Sequence, residues 1–391
     1  MSSVPSKAEV VIIGGGIVGA SIAYHLGKAG VKRVLLLEKG IMGQGSTGKC
    51  AGGIRSQFST RINLQFSQLS LKAFDLFYQE LGVDPEFHQT GYLFMAFQEK
   101  HLAMFEANKT LMGEMGLNVE LLDPDEISRL WPFLRTDDLM GGAYTEKDGY
   151  AGPYEVLQGY IKGARRTGAT LFEGVEATAI EVDRGRVCAV WTSTGERVKT
   201  PLVINAAGPQ AASVAAMAGL DLPVTPIRRQ VFFTDPFSDL PETFPLVIDL
   251  EHGWYMRREG QGILLSGPQD SESSFNEETD FQGREWAAEL SVDRVPILEK
   301  ARIMRGWAGL YEVSPDQHAI LGEFPELKGF ICANGFSGHG FQHSPATGLL
   351  VAELATEGRV RTLDIHSLRP QRFREGDLIH EPLTAVSCTG N

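Results

Sequence analysis

The feature that most restricts this chain of 391 residues lies at its start, where Val10, Val11, Ile12 and Ile13 run straight into Gly14-x-Gly16-x-x-Gly19. Four consecutive β-branched apolar residues suit a strand covered on both faces. The glycines suit a tight turn into a helix, here ending near Gly30. A second apolar run, residues 34–37, closes on Glu38. Strand, helix and strand together span about thirty residues, the size of a right-handed βαβ crossover. In that setting the first glycine permits the turn, the second lets backbone N–H groups approach a pyrophosphate, and the third brings the helix close to the strand. Glu38 stands 24 residues after Gly14, where a carboxylate accepts from ribose hydroxyls and repels a 2′-phosphate.

The rest of the chain alternates between two textures. Residues 154–167 set Val156, Leu157, Tyr160, Ile161 and Ala164 at helical spacing, closed by Gly168, and residues 202–207 read as another buried strand. Residues 92–97, 231–234, 254–257 and 263–266 are short, aromatic-rich strands that predict an antiparallel sheet. Asp123, Pro124 and Glu126 combine a cap, a first-position proline and a capping-box acid, so a helix through Leu130 is expected over that sheet. The predicted fold class is α/β. A Rossmann-like domain with a parallel sheet takes residues 1–88, 145–220 and 305–375, interleaved with a mixed or antiparallel-sheet substrate domain from 89–144 and 221–304; the tail, 376–391, carries no clear pattern.

A net charge of −13 without a basic block argues against nucleic acid as a partner. The first apolar segment is broken by His25 and Lys28, so no membrane span is expected and a cytoplasmic location follows. Cys50, Cys188, Cys332 and Cys388 have neither zinc-site spacing nor the density of a disulfide framework, so reduced thiols and no metal are expected. The 44 glycines exceed ordinary usage and cluster at 14–19, 43–53 and 335–340, which points to backbone drawn close to a ligand.

The third cluster separates the dinucleotides. Gly335-Phe336-Ser337-Gly338-His339-Gly340-Phe341 follows an apolar strand, 330–333, and precedes a helix expected to start near Pro345. FAD places its ring far from the pyrophosphate and needs a second close-approach turn, where a helix N-terminus stabilises charge developing around N1 and O2. A nicotinamide cofactor has no use for it. Gly45-Ser46-Thr47-Gly48 and Ala51-Gly52-Gly53-Ile54-Arg55 form a further glycine-rich segment.

Together with Asn205-Ala206-Ala207-Gly208-Pro209 and Trp307-Ala308-Gly309-Leu310-Tyr311 leading to Ser314-Pro315-Asp316, these segments resemble the D-amino acid oxidase superfamily. They occur in family order over nearly the whole chain, to about Arg374. The overall type is similar to glycine oxidase and sarcosine oxidase. The loop 45–58 is most similar to the flavin subunits of heterotetrameric sarcosine oxidase and of L-proline dehydrogenase. The resemblance implies FAD contacts at Gly14, Gly16, Ile17, Val18 and Gly19, at Glu38 and Lys39, and at Ser46, Thr47 and Gly48. It implies further contacts at Ala177, Ala207, Gly208 and Gly309, and at Gly338, His339, Gly340, Phe341 and Gln342. The implied chemistry is hydride transfer from a carbon beside a neutral amine nitrogen to flavin N5, giving an imine that water hydrolyses, with no obligatory strong base.

Residue by residue, Arg55 matches a carboxylate-binding arginine, with a structural salt bridge as the alternative, and Tyr255 matches a pocket tyrosine or a core aromatic. Arg61 and Arg257 are weaker carboxylate candidates. His339 either moves a proton or shapes its loop. Gln342 stands where monomeric sarcosine oxidases carry a lysine, Gly309 where they attach flavin to a cysteine, and Pro153 where the heterotetrameric subunit carries a flavin-bearing histidine. One non-covalent FAD is therefore expected. Leu264 falls on the position of a lysine that activates oxygen, which implies slow reaction with oxygen and leaves room for an electron-accepting partner subunit. The expected activity is oxidation of a small amino acid with a secondary or N-methyl amine, such as sarcosine or proline. Oxidation of glycine or another primary amine, and a flavin-bearing subunit or assembly protein acting mainly through a partner, are the alternatives.

Overall fold

The computed structural model describes residues 3–385; Cys388 and the end of the tail lie outside the described residues. Val10–Ile13 pairs in parallel with Val34–Leu37 on one side and Val203–Asn205 on the other, at the centre of a six-stranded sheet. Thr170–Phe172 and Phe330–Asn334 extend it in parallel, and Ile320–Glu323 closes one edge antiparallel. Because side chains alternate along a strand, Val10 and Ile12 join the core beneath the helices Ile17–Lys28, Pro153–Arg166 and Gly340–Glu357. Val11 and Ile13 point the other way, into a core shared with Val187, Val190 and Val198 of the three-stranded sheet. Both faces are covered, which is what the unbroken apolar run requires.

The strand expected over 202–207 stops at Asn205, whose side chain accepts from Ala207 N (3.2 Å) and donates to Ala211 O (2.9 Å), turning the chain out of the sheet. The helix expected near Pro345 begins five residues earlier and contains that proline. Proline cannot donate to Phe341 O, and the Ser344 hydroxyl does so instead at 2.8 Å.

The second large sheet has eight strands in the order Ile303–Val313, Thr225–Thr234, Gly262–Ser273, Tyr255–Glu259, Leu246–Asp249, Tyr92–Ala96, Gly141–Thr145, Glu120–Leu122. It is antiparallel apart from the pair Leu246–Asp249 with Tyr92–Ala96. Two strands run well beyond their apolar cores because their polar ends pair across the ladder: Arg228 meets Asp270 at 2.8 Å. Strand Ile303–Val313 hydrogen-bonds along Thr225–Thr234 and so belongs to this sheet, although its sequence opens the 305–375 segment read as Rossmann-like. Helix Pro124–Leu130 carries the expected capping box between Asp123 and Glu126.

The tail from residue 376, patternless in sequence, is tied down as far as it is described. Arg372 and Asp316 form a fully buried ion pair at 2.7 Å, and Ile379 N donates to the same carboxylate at 3.3 Å. Further along, Glu381 accepts from Ser59 N (2.7 Å), Thr60 Oγ1 (2.9 Å) and Asn63 Nδ2 (3.0 Å) at the start of helix Arg61–Asp75. A carboxylate suits that positive helix end. Leu383 is thereby buried beside Phe58, Tyr92 and Phe94.

Burial alone would raise the Asp316 pKa, but its hydrogen bonds and ion pair with Arg372 lower it. Breaking such a pair strands a buried charge. Asp316→Asn is expected to lower stability by ~3–5 kcal/mol, read as a lower urea midpoint for the full chain, whereas Glu114→Gln, on the exposed pair with Arg61, should change it little.

Candidate active site

One cavity of about 890 Å³ runs from the start of helix Ile17–Lys28, past strand Ile303–Val313, to Tyr255. That is the upper end of the usual range for small-molecule sites. Two helix N-termini open on it. Ile17–Lys28 and Gly340–Glu357 both lack a side-chain cap and an acid in the first turn, so each keeps its positive end for a ligand. At the first, Gly14 has φ +116, and a Cβ there would come within 2.2 Å of Ala206 O. Only glycine permits that turn. Ile17 N is already satisfied by Thr47 Oγ1 at 3.0 Å, which anchors the 46–48 turn, and Ser46 Oγ ties it to Leu310 O at 2.6 Å.

The structure gathers nearly all the residues marked in the sequence. Gly14, Gly16, Ile17, Val18, Glu38, Lys39 and Ala177 line one end, and Ser46, Thr47, Ala207, Gly208 and Gly309 the middle. Arg55, Tyr255, Gly338, His339, Gly340, Phe341 and Gln342 line the far end. Gly19 and Gly48 do not reach the cavity. A Cβ at Gly19 would come within 2.0 Å of Gly14 O, and Gly48 packs on Gly43 O, so both serve close packing. Leu264 is also absent from the wall; it packs with Val231 and Phe233. Its aliphatic side chain therefore gives no basis for an inference about oxygen. Arg61 pairs with Glu114 at the surface, and Arg257 is consumed by Glu259 at 2.7 Å.

Glu38 accepts from Gly15 N and Gly40 N, each at 2.7 Å, which fixes its carboxylate at the cavity edge. At the far end Arg55 is buried between Phe58 and Phe94, its guanidinium carbon 4.2 Å and 5.1 Å from their ring centres. It donates to Gln57 O (2.9 Å) and His339 Nε2 (3.0 Å), and it has no ion pair among the described residues. Burial, then the field of Arg55, pushes His339 well below the ordinary histidine pKa. It is a neutral acceptor for Arg55. Gln342 Oε1 accepts from Arg55 N at 3.0 Å, so Gln342 holds the backbone of the same residue.

Behind Arg55, Asp148 Oδ2 accepts from Ser56 N (2.7 Å), Ser56 Oγ (3.1 Å) and Thr145 Oγ1 (2.7 Å). Thr145 in turn accepts from Gln57 Nε2 at 2.7 Å. Asp148 was invisible to the motif reading, as were Tyr92, Arg229 and Leu383 on the cavity wall. Arg229 left a trace: it is in phase with the buried Val231 and Phe233 along one strand, while Arg228 points outward to Asp270 and Asp280. Glu312 also lines the cavity; burial pushes its pKa up to about 8 while Gly335 N donates to it.

Two anion-seeking helix ends on one elongated cavity, with an acid placed at the first and an arginine beyond the second, describe a flavin dinucleotide oxidoreductase. Comparison with known proteins agrees. Residues 9–354 match the family model described as FAD dependent oxidoreductase. The chain is 34% identical over 418 residues to FAD-dependent oxidoreductase domain-containing protein 1 of Xenopus laevis, covering 94% of this chain and 83% of that protein. It is 30% identical over 389 residues to mitochondrial dimethylglycine dehydrogenase of Homo sapiens, covering 94% of this chain but 44% of that protein. The crystal structure of L-proline dehydrogenase from P. horikoshii superposes with a TM-score of 0.90 at 31% identity, covering 96% of this chain and 100% of that one. The chain belongs to the FAD-dependent oxidoreductase family. Among the described residues no helix is long and apolar enough to cross a membrane, and no group of three or more His, Cys, Asp or Glu is arranged to hold a metal.

Asp148 provides a pH test of the support behind Arg55. Burial raises its pKa to about 6, against the hydrogen bonds from Ser56 and Thr145 that lower it. A folded pKa above the unfolded ~3.9 means the folded state holds the proton longer, so Asp148 favours folding least once both states are ionised. Relative to Asp148→Asn, the wild type should lose up to ~3 kcal/mol between pH 4 and pH 7, read from paired urea unfolding curves. A stability difference that does not move with pH would remove Asp148 as the titrating group.

Proposed function

We propose that the chain oxidises a small amino acid carrying a secondary or N-methyl amine, with FAD held non-covalently. The observation that carries this reading is Arg55: a buried guanidinium on the cavity wall, oriented by neutral acceptors and without an ion-pair contact among the described residues, Asp148 and Glu381 acting on it only through space. Burying a charge unpaired is costly, and an arginine cannot escape by losing its proton. A substrate carboxylate resolves that cost and sets the orientation of the rest of the molecule.

Bound FAD supplies a two-electron acceptor for hydride from the carbon beside the amine nitrogen. In this reading the start of helix Ile17–Lys28 takes the pyrophosphate and Glu38 the ribose hydroxyls, while the turn Gly338 to Phe341 faces the far end of the ring. Gly309 offers no thiol for attachment. Arg55 holds the carboxylate, His339 and Gln57 fix the guanidinium, and Gln342 fixes its backbone. Tyr92, Tyr255 and Tyr311 wall the same end and exclude water from the reacting carbon. Burial raises the pKa of Tyr92 and of Tyr255, so both are neutral hydroxyls. With His339 also neutral and turned to Arg55, the site orients its substrate without a strong base. The names of the relatives, dimethylglycine dehydrogenase and L-proline dehydrogenase, support a substituted amine as substrate.

The purified protein should be yellow and release its flavin to the supernatant on acid precipitation; colour retained in the pellet, with a mass raised by that of a flavin, contradicts this. Sarcosine or proline should bleach the flavin anaerobically. Arg55→Met should keep FAD while weakening substrate by the ~3–5 kcal/mol of a stranded carboxylate, roughly a hundredfold to a few thousandfold. Reduction rates with unchanged concentration dependence in that variant would assign Arg55 to structure.

A further inference from the structure

Six arginines are buried among the described residues: Arg55, Arg229, Arg257, Arg258, Arg294 and Arg372. Three are ion-paired at 2.7 Å, Arg257 with Glu259, Arg294 with Asp138 and Arg372 with Asp316. Arg258 lies away from the cavity and is surrounded by carbonyls, donating to Phe237 O and Leu240 O at 2.8 Å. That leaves two, and both are on the cavity wall.

Arg229 is 6% exposed and projects from strand Thr225–Thr234, where it pairs with Gly309 of the neighbouring strand. It donates to Gly253 O and engages the Tyr255 hydroxyl, and its Nε is buried without a partner. Its guanidinium carbon stands 5.4 Å from the centre of the Tyr255 ring. Of the five acids on the wall, Glu176 stands beside Ala177 at the opposite end of the cavity, and the other four are committed elsewhere. Asp249 faces Arg294 (3.6 Å) and His252 (3.1 Å), and Glu277 faces Lys49 (2.8 Å). Glu38 and Glu312 hold backbone N–H groups. Arg55 and Arg229 share the wall with the tyrosines: Arg229 stands over Tyr255, and Tyr92 and Tyr311 lie in the field of Arg55.

We propose that the substrate carries two anionic groups, one carboxylate on Arg55 and a second on Arg229, with the amine nitrogen between them against the tyrosines. The substrate class is a dicarboxylic amino acid with a substituted amine. One cation in a pocket is explained by one carboxylate; a second on the same wall, with one carbonyl where Arg258 has several and no acid in ion-pair contact, is matched by a second anion. This deepens the amino-acid reading above and rests on it.

The test is a ligand series titrated into the FAD-loaded protein and read by the flavin absorption spectrum or by calorimetry. Acetate and propionate are compared with malonate, succinate and glutarate. In the wild type the best dicarboxylate should bind at least about tenfold tighter than either monocarboxylate, a gap that one added charge pair in a desolvated site readily gives. Arg229→Gln should abolish that gap while leaving acetate within about threefold, Arg229→Lys should keep part of it, and Arg55→Met should weaken every ligand. N-methylaspartate should then reduce the flavin at lower concentration than sarcosine does. Dicarboxylates that bind the wild type no better than monocarboxylates overturn the proposal, and that comparison stands even where Arg229→Gln folds poorly. Equal weakening of both classes by Arg229→Gln also overturns it, because both arginines would then grip a single carboxylate. Acetate binding untouched by Arg55→Met would instead remove the amino-acid reading itself.

Discussion

The approach of helix Ile17–Lys28 to the first strand sets the position of everything else at the site. A Cβ at Gly19 would strike Gly14 O and one at Gly14 would strike Ala206 O, so the helix, the turn and the strand Val203–Asn205 meet in van der Waals contact. That contact points the helix start into the cavity. The same helix also fixes the second end, because Ser21 Oγ donates to Ser344 O at 2.8 Å inside helix Gly340–Glu357. Two positive helix ends are thus held in a constant relation by backbone and small side chains rather than by long, mobile ones. A cofactor with charge at one point and a reacting ring at another needs such a relation.

The second organising constraint is the cost of buried charge. The fold neutralises Arg372, Arg294 and Arg257 with its own acids. At the far end of the cavity it keeps them out of contact, surrounding Arg55 with aromatic rings, a carbonyl and a neutral imidazole while Asp148 and Glu381 act only through space. Asp148, the acid nearest behind it in the network, is turned to Ser56 and Thr145. Cations kept charged and under-neutralised form a receptor for anions. The stability that these groups forgo in the free protein is available to a ligand.

Much of this could be read from local patterns. The unbroken apolar run before Gly14, the glycine spacing and the acid at 38 require no distant partner to be recognised, because each reports a backbone conformation that few residue types adopt. The capping box at Asp123 is legible for the same reason. Polar stretches misled the reading. Strand Thr225–Thr234 hides its first half because Arg228, Arg229 and Gln230 look like a loop until a partner strand supplies Asp270 and Gly309. The tail looked patternless because Glu381 finds its hydrogen bonds at Ser59, Thr60 and Asn63.

By itself the sequence determined the α/β class, the Rossmann unit and the flavin as cofactor, since those follow from short-range sterics and from glycine turns that announce a close-lying ligand. Only the tertiary structure decided the electrostatics of the substrate end. Whether an arginine is spent on the fold or left for a ligand depends on which carboxylate lies within about 4 Å, and the answers here come from far along the chain: Asp316 for Arg372, Asp138 for Arg294, none for Arg55 or Arg229 among the described residues. Burial fixes the energetic weight of that answer, because the low-dielectric interior turns an absent partner into a strong preference for an anion.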